Sequence, residues 1–317
     1  MIRVLVIKPS SLGDIIHGLQ VIQSLRNQLG NDAHVTWVAR DCFADFVDAC
    51  DTVDKTLVFE RKGGLFAFIS LIKQIRKNPF DYVLDLQGLA RSGLLTFFAK
   101  GKRKLVRSDA REFARFASTE RVLLPTQQPA HAVDILLCFL QKLDLKPELS
   151  ASLSFSKLDL PKPHQPDLEI KNPILIFPDS RRAEKEWPYF SELTRLLLEN
   201  CPNQHIIWLG QKKIPADPNW PKPHFLNWIG KTDLLDIIPL INQSALVICN
   251  DSGPMHLAAA MGKTVLTLFG PTSPKQYGPY PLNNPNHHIL TAENGNLARL
   301  GPDTVLEKVA EIIKCCP

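Results

Sequence analysis

Short apolar runs alternate with segments of helical periodicity along this chain, and the alternation occurs twice, which constrains the fold more than any other feature. Ile2–Ile7 is a near-continuous apolar run of the kind a buried parallel strand shows. Ile15, Leu19, Ile22, Leu25 and Leu29 then recur at helical spacing, with Gly30 where a left-handed cap would end the helix. Strands are expected over residues 34–39, 53–59 and 82–86, and helices over 42–50, 65–77, 91–99 and 131–143. Beyond these, Pro147, Pro161, Pro163, Pro166 and Pro173 punctuate a stretch with little periodicity. The second alternation begins at Ile174–Phe177, with strands over 205–209, 245–249 and 264–269 and helices over 188–199, 234–241, 254–261 and 304–313. This pattern predicts an α/β chain of two Rossmann-like doubly wound domains facing across a cleft. The expected boundaries are 1–158, a linker at 159–172, and 173–317; at roughly 150 residues per domain, a length of 317 agrees. Ligands in such sheets bind beyond the carboxyl ends of the strands.

Composition narrows the class. With 44% hydrophobic and 22% charged residues, neither disorder nor a coiled coil accounts for the chain. No apolar run approaches the ~18 residues of a spanning helix, and the strand-like start lacks the pattern of a secretory signal. Seven cysteines without C-x-x-C spacing read as small buried hydrophobes of a reducing compartment, so a cytoplasmic location is expected; the adjacent Cys315 and Cys316 are the exception that could be redox-active. The net charge of +5 is unevenly spread, +6 over residues 1–158 against −1 over the remainder. Much of the excess lies between Lys100 and Arg121, where an anionic partner and a solvated charged face are both open readings.

Three loops that follow strands carry candidate chemistry. In Lys8-Pro9-Ser10-Ser11-Leu12-Gly13-Asp14, the carboxylate is either a helix N-cap or a functional base. The segment from Pro178 to Pro188 holds Ser180, Arg181, Arg182 and Lys185, a set suited to a phosphate-bearing ligand or to a charged surface. Within it Trp187 is a staple or a floor for the site, and Pro188 suits the first turn of the next helix. Asn250-Asp251-Ser252-Gly253-Pro254-Met255-His256 enters a helix of small residues, whose free N–H groups make an anion socket. His256, about one turn in, is either a ligand contact or a packed histidine.

Neither G-x-G-x-x-G nor G-x-x-x-x-G-K-[ST] occurs, which removes support for dinucleotide-dehydrogenase and P-loop readings. No Asp-x-Asp pair presents a divalent metal to a pyrophosphate, and the nine histidines suggest no zinc site. Metal independence and the absence of a cofactor are therefore expected. The charge on a leaving pyrophosphate then falls to Lys185, arginines and a helix N-terminus; one cation about 4 Å away supplies roughly 4 kcal/mol at an effective dielectric near 20.

Taken together, these segments resemble the ADP-heptose:lipopolysaccharide heptosyltransferases, glycosyltransferases of family 9 with the two-domain GT-B architecture. The strongest likeness is Asn250-Asp251-Ser252-Gly253-Pro254-Met255-His256-Leu257-Ala258-Ala259-Ala260, followed by Leu268-Phe269-Gly270-Pro271-Thr272. Ser10-Ser11-Leu12-Gly13-Asp14-Ile15, Asp85-Leu86-Gln87-Gly88-Leu89, Arg111-Glu112, His131-Ala132-Val133-Asp134, and Lys185 with Trp187-Pro188 add to it in the same order. The resemblance implies inverting transfer of a heptose from ADP-heptose to a Kdo or heptose residue of the lipopolysaccharide inner core, at the cytoplasmic side of the inner membrane. It implies Asp14 as general base, with Lys185 also catalytic, and a donor site of Ser180, Lys185, Asp251, Ser252, Gly253 and His256 in the second domain. The first domain would take the lipid A–Kdo or inner-core acceptor through Ser11, Gly13, Arg61, Lys62, Arg107 and Arg111. Asp179, Arg181 and Arg182 stand where the family often has smaller or hydroxylated residues, and Ser252 where some members have Thr, so another ADP-sugar or a UDP-sugar is the alternative donor. The basic first half suits peripheral docking on an anionic membrane surface. A nucleic-acid partner is not expected, because no aromatic stacking platform accompanies the cations.

Overall fold

The computed structural model describes residues 1–30, 32–111, 114–127, 129–158, 170–212, 214, 216–217, 219–221 and 224–314. The chain divides into two units, Met1–Lys157 and Leu158–Pro317. Most of the segment read as a linker, residues 159–169, lies outside the described residues, as do Glu112 and the Cys315–Cys316 pair.

Unit 1 runs β1 (Ile2–Ile7), α1 (Leu12–Leu29), β2 (Ala33–Arg40), α2 (Ala44–Ala49), β3 (Lys55–Phe59), α3 (Gly64–Arg76), β4 (Phe80–Asp85), α4 (Ala90–Phe98), β5 (Gly101–Arg107), β6 (Glu120–Val122) and α5 (Ala132–Lys142). Its strands form one parallel sheet in the order β3-β2-β1-β4-β5-β6. Val4 to Ile7 are fully buried, as a central strand covered on both faces requires. α1 lays Ile15, Leu19, Ile22 and Leu25 on the sheet. Its approach depends on Gly18, where a Cβ would stand 2.9 Å from the Trp37 ring.

Unit 2 repeats the plan with β7 (Ile174–Phe177), α6 (Phe190–Asn200), β8 (Ile206–Trp208), β9 (Phe225–Asn227), α7 (Ile237–Gln243), β10 (Leu246–Asn250), α8 (Gly253–Ala260), β11 (Val265–Phe269), α9 (Pro274–Tyr277), β12 (His287–Thr291) and α10 (Pro302–Ile313). The order is β12-β11-β10-β7-β8-β9, again parallel. In each unit the first and fourth strands are neighbours, so the connections diverge there and leave a crevice at the strand ends. On one face Trp187, Phe190, Leu193, Leu197 and Val305 pack over the sheet, and Trp208 meets Trp220 and Phe225 edge to face.

The structure departs from the sequence expectations at identifiable places. β5 and β6 lie in the basic stretch where no strand was expected, because only Leu105, Val106 and Val122 of them are buried and their apolar signal is thin. There Lys102 pairs with Asp81 at 2.7 Å, Arg103 with Glu120 at 2.6 Å and Arg107 with Asp109 at 2.6 Å, so much of the charge is compensated within the unit. β9 and β12 were also unanticipated. Residues 42–50 form a 3-10 turn, Asp41–Phe43, followed by the short α2. Pro188 precedes rather than opens its helix, which starts at Phe190. Gly30 has φ of 82° but an extended ψ, and its N–H closes α1 on the Arg26 carbonyl. Among the described cysteines Cys50, Cys201 and Cys249 are buried, whereas Cys42 is exposed. No helix among the described residues is long and apolar enough to cross a membrane.

At the end of β4 stands Asp85, wholly buried. Its Oδ1 accepts the N–H groups of Gln87 and Gly88 at 3.0 and 2.9 Å, a turn that holds Gly88 at φ 68°, while Oδ2 has no hydrogen-bond partner. Burial pushes this carboxyl up to about 6, against the pull of the Gly88 N–H, the Ser92 hydroxyl and the Gln87 N–H. A carboxyl raised in the folded state binds its proton more tightly there than in the unfolded chain, so stability falls as pH rises from the ordinary carboxylate range through about 6. Asp85→Asn keeps an acceptor for both N–H groups and removes the ionisation. The substitution is expected to gain about 3 kcal/mol relative to the parent between roughly pH 3 and pH 7. Urea unfolding, followed by hydrogen exchange in the β1 and β4 peptides, reads it; a difference that does not vary with pH counts against the assignment.

Candidate active site

In unit 1 the polar groups collect at the carboxyl ends of β1, β4 and β5. The chain leaves β1 at Lys8, whose carbonyl accepts the Trp37 indole N–H at 3.1 Å and whose side chain is 7% exposed. Its ammonium lies 3.8 Å from Asp14 Oδ1. Burial pushes Lys8 below its usual range, with Asp14 pulling it up, Arg107 pushing it down and Asp85 pulling it up.

Ser11, not Asp14, is the N-cap of α1, and Asp14 is the third residue of its first turn. Asp14 Oδ2 accepts the Ser11 N–H at 3.1 Å and the Ser11 hydroxyl at 2.8 Å. The carboxylate therefore closes a capping arrangement while its side chain remains 46% exposed. The two sequence alternatives, cap and base, are compatible: Asp14 helps close the helix start and still presents oxygen to solvent. Ser11 and Gly13 are half-buried beside it.

Arg107 ends β5 and is held by both oxygens of Asp109, at 2.9 and 2.6 Å. Arg111 is exposed, its N–H donating to the Gly88 carbonyl at 2.9 Å. Arg61 and Lys62 lie in the exposed turn after β3, two strands from β1, as β5 is on the other side. At about 4.8 Å per strand, β3 and β5 each run about 10 Å from β1 within the sheet. The sheet thus aligns the expected first-domain residues along one edge without bringing Arg61 and Lys62 into contact with Asp14.

In unit 2 the organising residue is Asn250, the last of β10 and fully buried. Its Nδ2 donates to the Pro178 carbonyl at 3.0 Å and its Oδ1 accepts the Trp187 N–H at 3.0 Å, so one side chain pins both ends of the loop after β7. The Trp187 indole donates to the Leu300 carbonyl at 2.7 Å and the ring is 2% exposed, which makes it core rather than a floor for ligand. Between the pins a 3-10 turn, Ala183–Lys185, carries Lys185 inward. Its Nζ lies 2.5 Å from Asp251 Oδ2, which also accepts the Thr272 hydroxyl at 2.6 Å, and 5.8 Å from the Tyr277 ring centroid. Asp251 and Lys185 are 6% and 15% exposed.

Ser252 is the N-cap of α8, its hydroxyl donating to the Asn250 carbonyl at 3.2 Å, so the early N–H groups of the helix face outward past Gly253. His256 is half-buried in the first turns of α8. Ser180 donates its N–H to Glu186 at 3.2 Å. The surrounding charges are more structural than their sequence suggests: Asp179 accepts the N–H groups of Gln211 and Lys212 at 2.7 and 3.0 Å, Arg182 pairs with Glu184, and Arg181 is exposed. No three His, Cys, Asp or Glu side chains converge among the described residues.

The structure therefore gathers Lys185, paired with Asp251, beside Ser252 and Gly253 at the start of α8 on unit 2, and Ser11 and Asp14 at the start of α1 on unit 1. Sequence reasoning passed over Lys8, Asp85, Asn250, Thr272 and Tyr277. Asp85, Asn250 and Thr272 stood within the family-like runs. The signal for Lys8 was its position directly after the apolar run Val4–Ile7.

Comparison with known proteins identifies the family and the fold. Residues 68–310 match the model of glycosyltransferase family 9 (heptosyltransferase). The lipopolysaccharide core heptosyltransferase OpsX of Haemophilus influenzae is 27% identical over 93% of this chain and 86% of its own length. Lipopolysaccharide heptosyltransferase 1 of Escherichia coli is 26% identical over 98% of this chain and all of its own. Among solved structures, the E. coli heptosyltransferase WaaC with ADP superposes with a TM-score of 0.82 at 22% identity, covering 98% of this chain and 99% of that one. The E. coli ADP-heptose heptosyltransferase II gives 0.77 at 21% identity over 99% of each. These likenesses assign the GT-B fold, and the family model extends over the loops that carry Asp85, Lys185 and Asp251. The chain belongs to glycosyltransferase family 9, the heptosyltransferases.

Proposed function

We propose that this glycosyltransferase moves a heptose, with inversion, from ADP-heptose to a Kdo or heptose residue of the lipopolysaccharide inner core. The observation that carries the reading is the Lys185 ammonium, fixed by Asp251 beside the outward-facing N-terminus of α8. That arrangement suits a diphosphate whose charge grows as the sugar leaves. The relatives named for lipopolysaccharide heptosyl transfer, and the WaaC complexes with ADP and with a fluorinated ADP-heptose, supply the substrate class. Unit 2 would hold the donor through Ser180, Lys185, Asp251, Ser252, Gly253 and His256, and unit 1 the acceptor through Ser11, Gly13, Arg61, Lys62, Arg107 and Arg111.

In the step itself an acceptor hydroxyl oxygen forms a bond to the anomeric carbon as the bond from that carbon to the pyrophosphate oxygen breaks. The electron pair leaves with ADP, the hydroxyl proton passes to Asp14, and one displacement inverts the centre without a covalent enzyme intermediate. The Lys8 ammonium stands 3.8 Å from Asp14 Oδ1, on the side away from the Ser11 contacts of Oδ2. Lys185 and the helix N-terminus take the place that a divalent cation fills elsewhere, so turnover is expected without metal. The reaction would occur in the cytoplasm, with the enzyme peripheral to the inner membrane.

A transfer assay with ADP-heptose and Kdo–lipid A in the presence of EDTA is expected to release one ADP for each heptose of mass gained by the acceptor. ADP that binds without any transfer would redirect the assignment to another acceptor or ADP-sugar, and failure to bind ADP would sink the donor. Asp14→Asn is expected to leave ADP affinity within about twofold while lowering turnover by about 100-fold or more; near-normal turnover removes Asp14 from the role. Lys185→Met is expected to weaken ADP binding by at least about tenfold, measured by calorimetry.

A further inference from the structure

α3 buries only Leu71 and Ile75, although most of its remaining residues are apolar. Leu65, Phe66 and Ile69 are 69%, 89% and 39% exposed, and on the neighbouring α4 Leu94 and Phe97 are 47% and 60% exposed. The two helices lie side by side. Leu65 and Leu94 line one shallow cavity of about 350 Å³ with Arg61 and Arg91, and at the other end Arg76 donates to the Phe98 carbonyl at 3.2 Å. Five large apolar side chains held out to solvent on adjoining helices exceed what scattered surface exposure explains.

The charge around them is mostly positive. Residues 61–100 contain seven Lys and Arg but only two acids. Of those acids Asp85 is buried and Asp81 is paired with Lys102; Glu60 stands at one rim. Apolar side chains ringed by cations fit a surface that is apolar inside and uniformly negative at its face. A second copy of the chain would bring the same cations against each other.

We propose that the outer face of α3 and α4 docks on an anionic lipid bilayer, Phe66 and its neighbours entering the acyl boundary while Lys73, Arg76 and Arg91 meet lipid phosphates. The inference rests on the reading of the acceptor as a membrane-anchored glycolipid, and it gives that reading a specific surface.

The full chain is sedimented with vesicles of phosphatidylcholine and phosphatidylglycerol, and with pure phosphatidylcholine. Salt-sensitive binding to the mixed vesicles is expected, weakened by about tenfold or more in Phe66→Ser/Phe97→Ser, whose exposed positions leave thermal unfolding unchanged. Phe66→Trp is expected to blue-shift on the mixed vesicles. Unchanged vesicle binding by the double variant, or no blue shift, overturns the proposal. So does a dimer in sedimentation equilibrium that the double variant abolishes, since it would give the face to a second copy. Transfer separates this surface from the reaction: the double variant should match the parent on a deacylated, water-soluble acceptor and fall about tenfold on the vesicle-embedded one. Loss of transfer to both acceptors by the parent would end the functional reading, while the vesicle measurements would still decide the docking face.

Discussion

A parallel sheet covered on both faces can present polar chemistry only where its strands end, and that constraint organises both units of this chain. Val4 to Ile7 and Leu246 to Cys249 are buried throughout. The first polar side chains beyond them, Lys8 after β1 and Asn250 closing β10, mark where each strand meets a loop. The strand orders put these ends beside Asp85 and Phe177, at the position where successive connections part. Every polar cluster with chemical potential then follows from topology before any residue is asked to catalyse.

The two clusters handle buried charge differently. On unit 2 Lys185 and Asp251 satisfy each other at close range and Thr272 takes further part in the same carboxylate. On unit 1 Lys8 is left with Asp14 at 3.8 Å and the buried Asp85 retains an oxygen with no partner. A matched pair holds the lysine rigidly in one place. In the imperfectly matched set burial pushes Lys8 down and Asp85 up from their ordinary ranges.

The doubly wound plan was readable because central strands such as β1, β7 and β10 are apolar over most of their length and α1 repeats Ile15, Leu19, Ile22 and Leu25 on one face. The outer strands were not: β5, next to the edge strand β6, carries Lys102 and Arg103, whose ion-pair partners Asp81 and Glu120 are distant in sequence. The candidate site divides along the same line. Asp14, Lys185, Asp251 and Ser252 stand in loops after strands and could be proposed from their chemistry. Asn250 works through backbone groups brought near only by folding, and no spacing rule marks a residue whose partner is 63 positions away, as Trp187 is from Asn250; Asp85 makes a local turn with the N–H groups of Gln87 and Gly88, and what the sequence hides is its complete burial. Trp187 itself was ambiguous for the opposite reason, since core and ligand floor call for the same large ring.

The Asn250 amide has a consequence for how unit 2 meets a ligand. By holding Pro178 at one end of the loop and Trp187 at the other, it ties the eight intervening residues to the end of the sheet rather than leaving them an independent flap. The conformational entropy that would be lost in bringing a long lysine to an arriving phosphate, about 1–2 kcal/mol for such a side chain, is lost when the unit folds instead. Lys185 is then less a hand that closes on its ligand than a fixed electrode, and the ligand does the adjusting.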